Sequence, residues 1–378
     1  MSHLHNPFRY DYVGSFLRPE NLKQARRDFD EGKIDYAKLK EVEEQAITDL
    51  ITKVKSLGYH VITDGEFRRA TWHLDFMWGL DGVGHVKTKT GLPFHGEAAM
   101  IDDTYLVGKI GLSKEHPFVE HFRFVKQFED ENTVAKQTIP APAQVLAQFT
   151  MPFNREATEQ FYESDDKLID DLVTAYKKVI DDLYAAGCRN VQLDDCTWGM
   201  LADKTAPLAY GTTVEGLQKI QQTYKDINNR VIANAPEGVA VTTHVCRGNF
   251  HSTYASSGAY DAVADALFAE ENAAGYYLEF DDERSGGFAP LAKVTGDKKV
   301  VLGLVTTKSS VLESKKAIIE RIHEAAKYVP LDRLYLSPQC GFASCEIGNK
   351  LTEEQQWAKL RLVKEIAEEV WDKDGHIG

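Results

Sequence analysis

The chain has 378 residues, 43% of them hydrophobic and 27% charged, an ordinary balance for a globular protein with a large core. Its formal net charge of −14 argues against a nucleic-acid or anionic-membrane partner, since either would favour a basic face. No apolar run is long enough to span a bilayer, and the opening MSHLHNPFRYDYVGSF lacks the basic patch and apolar stretch of a secretory signal, so a cytoplasmic protein is expected.

In chain order, DYVGSF (11–16) is the first expected strand. Leu39, Val42, Ala46, Ile47, Leu50, Ile51, Val54 and Leu57 then recur at helical spacing, with Gly58 as the stop. YHVITDGE (59–66) is a second, buried strand. Residues 67–132 are too long for a simple connection and are read as an insertion, within which HFRFVKQFE (121–129) is expected to be an excursion strand. TVAKQTIPAP (133–142) is the third barrel strand. A helix follows through Leu168, Ile169, Leu172, Val173, Tyr176, Val179, Ile180, Leu183 and Tyr184, capped by Ser164 and ended by Gly187.

The same rhythm continues. Strand NVQLDD (190–195) precedes a helix over about 213–233, and strand VAVTTHVC (239–246) precedes one over about 258–272. GYYLEFD (275–281) leads through a Gly-rich loop to KVVLGLVTT (299–307), then a helix near 311–328, then RLYLSPQC (333–340). The last helix spans about 352–371, opened by a Thr352/Gln355 capping box. Eight strands alternating with helices predict an α/β fold, a (β/α)8 TIM barrel with an insertion after strand 2, as one catalytic domain over 1–378.

In such barrels the chemistry lies at the strand ends. Those ends carry Gly14-Ser15, Asp64 and Glu66, Asp194-Asp195, His244 and Cys246, Glu279 and Asp281, Thr306-Thr307 and Cys340. His244 and Cys246 form an H-x-C pair, which period two puts on one face of a strand, a placement that suits zinc. Alone the pair is more often a buried cysteine beside a hydrogen-bonded histidine. Cys340 on the last strand, followed by Gly341, shifts that balance, and either Glu279 or Asp281 supplies a carboxylate. The odd count of five cysteines favours reduced thiols over a disulfide framework. Cys345 is the second choice of ligand, while Cys188 and Cys196 are expected to pack. Glu66 and Asp194, two carboxylates beside a metal, suit either acid/base work or a substrate ammonium.

VGSFLRP (13–19), TDGEFRRATW (63–72), VQLDDCTWG (191–199), THVCRGN (243–249), YYLEFDDERSGGF (276–288) and SPQCGF (337–342) together resemble the catalytic barrel of cobalamin-independent methionine synthases, in the short, stand-alone form without an N-terminal barrel. The resemblance implies zinc held by His244, Cys246, Glu279 and Cys340, and it selects Glu279 over Asp281. It implies homocysteine as substrate, contacted by Ser15, Glu66 and Asp194, with Asp64 and Asp195 as supporting partners. It further implies methyl transfer to the homocysteine thiol from methyltetrahydrofolate or another methyl carrier. The family's leaving-group histidine has Lys308, in GLVTTKSS (303–310), as its nearest counterpart here. Trp72 and Trp198 are candidates to stack on a flat pterin, with packing the commoner role for each. The alternatives are a zinc alkyltransferase or lyase acting on another thiol, of coenzyme M type, and a non-catalytic zinc or amino-acid binding protein. A homo-oligomer or an accessory protein is compatible with the sequence.

Overall fold

The computed structural model describes residues 4–88, 92–94, 97–99 and 101–371. Six parallel strands form one ladder in chain order: Gln137–Pro140, Asn190–Asp195, Ala240–Val245, Gly275–Glu279, Lys299–Val305 and Leu334–Pro338. The ring continues at both edges. Beyond the last strand, Tyr10 makes a parallel bridge to Leu336, with Asp11 N donating to Leu336 O and Leu336 N to Arg9 O. At the other edge Val61–Ile62 pairs in parallel with Val134–Ala135, which runs on into Gln137–Pro140. The two edges meet where Phe16 N donates to Gly65 O, Tyr12 Oη to Val61 O and Thr63 Oγ1 to Gly14 O. Eight parallel segments therefore follow one another around a ring, the α/β barrel expected from the alternation.

The inner and outer faces separate by period two. Val13, Tyr277, Val301 and Tyr335 form a small apolar cluster of their own, apart from the main core. Their neighbours Leu278, Val300, Leu302, Leu334 and Leu336 belong instead to the large cluster under the helices. The rest of the interior is polar, including Lys136, Thr138, Gln192, Asp194, His244 and Glu279, all buried.

The long helices form as the spacing requires: Tyr36–Ser56, Asp165–Ala185, Val214–Ala233 and Glu353–Val370, the last with its Thr352/Gln355 capping box in place. None of the described helices is long and apolar enough to cross a membrane. Four local expectations need correction. Ser164 stands at the N-cap position but makes no side-chain capping bond. The strand expected at 59–66 keeps only Val61–Ile62, because Gly65 (φ 65°) and Glu66 (φ 62°) turn the chain. The helix expected at 258–272 is a 3-10 turn, Tyr260–Ala262, and a π-helical turn, Asp265–Glu270. There Tyr276 Oη lies 2.8 Å from Leu267 O, a carbonyl that a regular helix would pair with Glu271 N, and Glu271 N donates to Ala266 O instead. The excursion strand expected at 121–129 is instead part of a helix, Pro117–Lys126. His116 accepts from Phe118 N as its cap, and Phe118, Val119, Phe122 and Val125 share a buried face at helical spacing; the alternation over 121–124 was too short to outweigh it.

Among the described residues, the rest of 67–132 holds a helix, Leu74–Trp78, and two antiparallel pairs, Asp81–Val86 with Asp103–Gly111 and Leu92–Phe94 with Glu97–Ala99.

Behind the fourth barrel strand, Asn228 Nδ2 bridges Asp195 Oδ2 (3.1 Å) and Glu271 Oε2 (3.0 Å). Burial, with the nearby Asp195 charge, raises the Glu271 carboxyl to about 8. The folded value lies above the ordinary one, so this contribution to stability is full below about pH 4.5 and drains as pH rises through about 8. Glu271→Gln cannot ionise. Its stability should therefore gain on the parent's between pH 5 and 9 by on the order of a few kcal/mol, read as a melting temperature that rises relative to the parent's over that range. Parallel melting curves would refute the assignment.

Candidate metal centre and active site

Ligand atoms of His244, Cys246, Glu279 and Cys340 all lie within 4.8 Å of one another, and all four residues are buried. Each comes from a different position around the ring or the next inward residue beyond a strand end. His244 stands on Ala240–Val245, and Cys246 follows two residues on, facing the same way. Glu279 ends Gly275–Glu279 and faces Gly303 across the ladder. A side chain at Gly303 would lie 2.6 Å from Leu278 O and 2.7 Å from Gln339 Cα, so this backbone approach requires glycine.

The donor spacing matches a tetrahedral ion. Cys246 Sγ and Cys340 Sγ are 3.8 Å apart. Two sulfurs each about 2.3 Å from one zinc would stand about 3.8 Å apart, whereas a disulfide would need about 2.05 Å. His244 Nδ1 donates to Tyr277 O (3.2 Å), which leaves Nε2 buried without a partner. Glu279 Oε1 accepts from Arg247 N (3.1 Å), while Oε2 is buried and unpartnered. Two orphaned donor atoms and two adjacent thiols converge on one point. The Cys340 thiol is held well above its ordinary value by the neighbouring Cys246 thiol and by burial, and burial raises Glu279 to about 7. A divalent cation would reverse both tendencies. The mixed N, S and O donor set suits zinc.

Beside this cluster lies a pocket of carboxylates. Asp194 and His244 are ladder partners on adjacent strands. Asp194 Oδ1 accepts from Gln192 Nε2 (2.7 Å). Glu66 has a positive φ without being glycine, a costly conformation that recurs at functional sites. Its backbone is held by Asp64 Oδ1, which accepts from Glu66 N (2.8 Å), and by Arg18 Nη2, which donates to Glu66 O (2.7 Å). Its Oε1 accepts from Thr138 Oγ1 (3.1 Å) and lies 3.4 Å from Arg69 Nη1, and its Oε2 is buried and unpartnered. Burial raises both Glu66 and Asp194 to about 7, and the repulsion between the two charges contributes to the rise at Glu66. Ser15 packs against the loop that carries Cys340, its Oγ accepting from Ala343 N (3.4 Å). Its carbonyl accepts from Phe342 N (2.9 Å), and a side chain on Gly341 would fall 1.8 Å from Ser15 Oγ, so glycine after Cys340 is what lets the two loops touch.

Asp195 bonds Thr197 and Asn228, and Asp64 bonds the Glu66 backbone, the supporting parts expected for them. Lys308 Nζ donates to Asp281 Oδ2, and Arg284 lies near the same carboxylate, 3.6 Å away. Asp281 is therefore hydrogen-bonded to Lys308 and stands outside the four-residue cluster. Trp198 is fully buried among helices and can stack on nothing external; Trp72 is half-buried and its ring lies 4.3 Å from that of His73. Cys188 is core, its thiol donating to Asn190 O. Cys345 is kept out of the four-residue cluster. Cys196 lies outside the four as well, its thiol set against that of Cys246. Arg18, Arg69, Thr138 and Gln192 were not singled out from sequence. The available signal was polarity at positions 138 and 192, inward-facing by period two in strands otherwise suited to Val, Ile or Leu.

The family described as "Cobalamin-independent synthase, Catalytic domain" matches residues 10–369 of the chain. The chain is 42% identical over 369 residues to the uncharacterized protein YxjH of Bacillus subtilis (strain 168), covering 97% of this chain and 95% of that one. Its structure is similar to that of the putative vitamin-B12-independent methionine synthase of Listeria monocytogenes, with TM-score 0.76, 37% identity, and 97% and 99% of the two chains covered. A B12-independent methionine synthase from Shewanella sp. W3-18-1, solved with selenomethionine, shares the fold at TM-score 0.67 and 18% identity, over 96% and 97% of the chains.

Proposed function

The chain belongs to the cobalamin-independent methionine synthase catalytic-domain family, a family of methyltransferases, and on that premise we propose that it transfers a methyl group to the thiol of homocysteine, giving methionine, with zinc held by His244, Cys246, Glu279 and Cys340. The observation that carries the reading is the convergence of those four donors within 4.8 Å of one another. When bound, zinc supplies a positive centre that keeps a substrate thiol deprotonated at neutral pH. Glu66 and Asp194 bind the substrate ammonium, and Ser15 bonds its carboxylate end. Asp194 and His244 are ladder partners on adjacent strands, which sets the ammonium site beside the donor cluster. In the transfer a sulfur–carbon bond forms as the donor's bond to the methyl breaks, and the donor keeps that electron pair. The donor is a folate-type compound or another methyl carrier.

Lys308, oriented by Asp281, is the counterpart of the family's leaving-group histidine and is assigned the protonation of the leaving group. Lys308→Met should lower turnover roughly hundredfold with a donor that needs protonation, with homocysteine affinity changed less than about twofold. Unchanged turnover would remove Lys308 from the mechanism. A sulfonate thiol of coenzyme M type would meet two carboxylates where it needs none, which disfavours the alternative alkyltransferase. The selenomethionine in the Shewanella structure is of the amino-acid class proposed here.

The reading is tested by adding homocysteine to zinc-loaded protein and following the metal edge by X-ray absorption, alongside a screen of methyl donors. The expected result is one additional sulfur in the zinc shell and methionine formed with at least one donor. No homocysteine binding and an unchanged spectrum would overturn it.

A further inference from the structure

Below the carboxylate pocket, the barrel interior holds a lysine where branched aliphatic side chains are usual. Lys136 is fully buried, between Val134–Ala135 and Gln137–Pro140. Its Nζ donates to Tyr12 O (2.6 Å) and Gln192 Oε1 (2.9 Å), and lies 3.5 Å from Asp11 Oδ1. Those three partners account for its three protons. Asp11 is fixed in turn, accepting from Tyr277 Oη (2.9 Å), Phe8 N (3.1 Å) and Tyr12 N (2.7 Å).

A buried ion pair at this depth is a poor device for stability, because removing two charges from water costs several kcal/mol per ion. Val13, Val301 and Tyr335 already form an apolar plug in the same interior, so an aliphatic residue would suit position 136. What the lysine does is fix the direction of a hydrogen-bond chain. An ammonium has only protons to offer, so the Gln192 amide must turn its oxygen toward Lys136. Its nitrogen then faces the other way, with one proton on Val13 O (2.9 Å) and one on Asp194 Oδ1 (2.7 Å). The reversed amide would set nitrogen protons against the ammonium and its oxygen against the carboxylate. Asp194 is thereby held as an acceptor, in one orientation, with Oδ2 free of hydrogen bonds from the described residues.

We propose that Lys136 and Gln192 are positioning residues for the substrate ammonium: acting through Asp194, they make the site selective for a thiol that carries an amino group. This rests on the reading that Glu66 and Asp194 bind that ammonium. Neither residue touches the substrate, so the readout must separate ammonium recognition from general integrity.

The comparison is between homocysteine and 4-mercaptobutanoate, which keeps the thiol and carboxylate and lacks the amino group. Calorimetry on zinc-loaded protein gives both affinities. The parent should prefer homocysteine strongly. Gln192→Met, and the pair Lys136→Met with Asp11→Asn that removes both buried charges together, should each weaken homocysteine about tenfold. Both should leave 4-mercaptobutanoate within about twofold, with melting temperature and zinc content near the parent's. If both ligands weaken equally, or neither does, the inference is overturned and the residues are a structural plug. If the parent itself shows no preference for homocysteine, the ammonium reading fails first and takes this one with it. The two failures are thus distinguishable.

Discussion

Cys340→Ser is expected to abolish stoichiometric zinc binding and to lower thiol methylation by more than about hundredfold. The threshold follows from the fact that even outer partners of a metal ligand are worth roughly 10–100-fold. A serine hydroxyl does not ionise in the range where a thiolate forms, and 3.8 Å separates this sulfur from that of Cys246, so the cluster loses one of its two soft donors. Metal content after dialysis against a weak chelator and the turnover rate are the two readouts. Cys246→Ser should behave alike. Cys188→Ser should leave metal content unchanged, since that thiol bonds only a backbone carbonyl in the core. Cys196→Ser should keep stoichiometric zinc while weakening its affinity up to about tenfold, because its thiol neighbours Cys246 without joining the four. A Cys340→Ser protein that keeps both zinc and activity would remove the metal assignment. The apo forms of parent and variant should melt within a few degrees of each other, which separates ligand loss from misfolding.

Asp194→Asn carries the second large effect. A hydrogen bond to a charged group contributes about 1.5–3 kcal/mol, so KM for homocysteine should rise roughly 10- to 150-fold while kcat stays near the parent's. Glu66→Gln should give the same split. The pH dependence follows from the carboxylates. Burial raises Glu66 and Asp194 each to about 7, so in the empty pocket protonation competes with the ammonium near neutrality. The charged form is the binding form, so affinity for homocysteine should fall as pH drops from 8 to 6 and recover on return. In Asp194→Asn that slope should flatten, because one of the two titrating charges is gone. A KM unchanged by both substitutions would move the amino group elsewhere in the barrel.

Much of the fold was readable because a parallel barrel repeats one physical requirement eight times. Each strand is covered on its outer face by a helix, so it reads as an apolar run, and each helix shows one apolar stripe. Asn190–Asp195 begins and ends where its sequence pattern does, and the Thr352/Gln355 capping box marks its helix to the residue. What was misread lay where local pattern and tertiary demand diverge. The segment 121–129 alternates briefly, yet the helical face built by Phe118, Val119, Phe122 and Val125 decides its structure. The segment 258–272 has helical composition, but Tyr276 takes up Leu267 O, a carbonyl that a regular helix would pair with Glu271 N. The second strand stops early at Gly65-Glu66, where holding Glu66 outweighs extending the ladder.

The site divides along the same line. Donor types at strand ends were legible, because the H-x-C pair and Cys340-Gly341 are local patterns. Supporting residues were not. Arg18 reaches Phe16, Glu66, Arg69 and Ala343 carbonyls at once, a convergence that no local window of sequence contains.

By itself the sequence determined that a histidine, two cysteines and a carboxylate would stand at the ends of parallel strands. It did so through period-two alternation and the repeated strand–helix rhythm, and it left Glu279 and Asp281 equal by periodicity. Only the tertiary structure separates them. The strand ends at Glu279, so the alternation that would have kept Asp281 on the same face lapses there. Lys308, from the loop beyond the next strand, then pairs with Asp281, while Glu279 sets a carboxylate oxygen within 4.8 Å of the His244, Cys246 and Cys340 donors. Which of the two like carboxylates faces the other three donors thus depends on a charge 27 residues away, brought alongside Asp281 by the pairing of Gly275–Glu279 with Lys299–Val305.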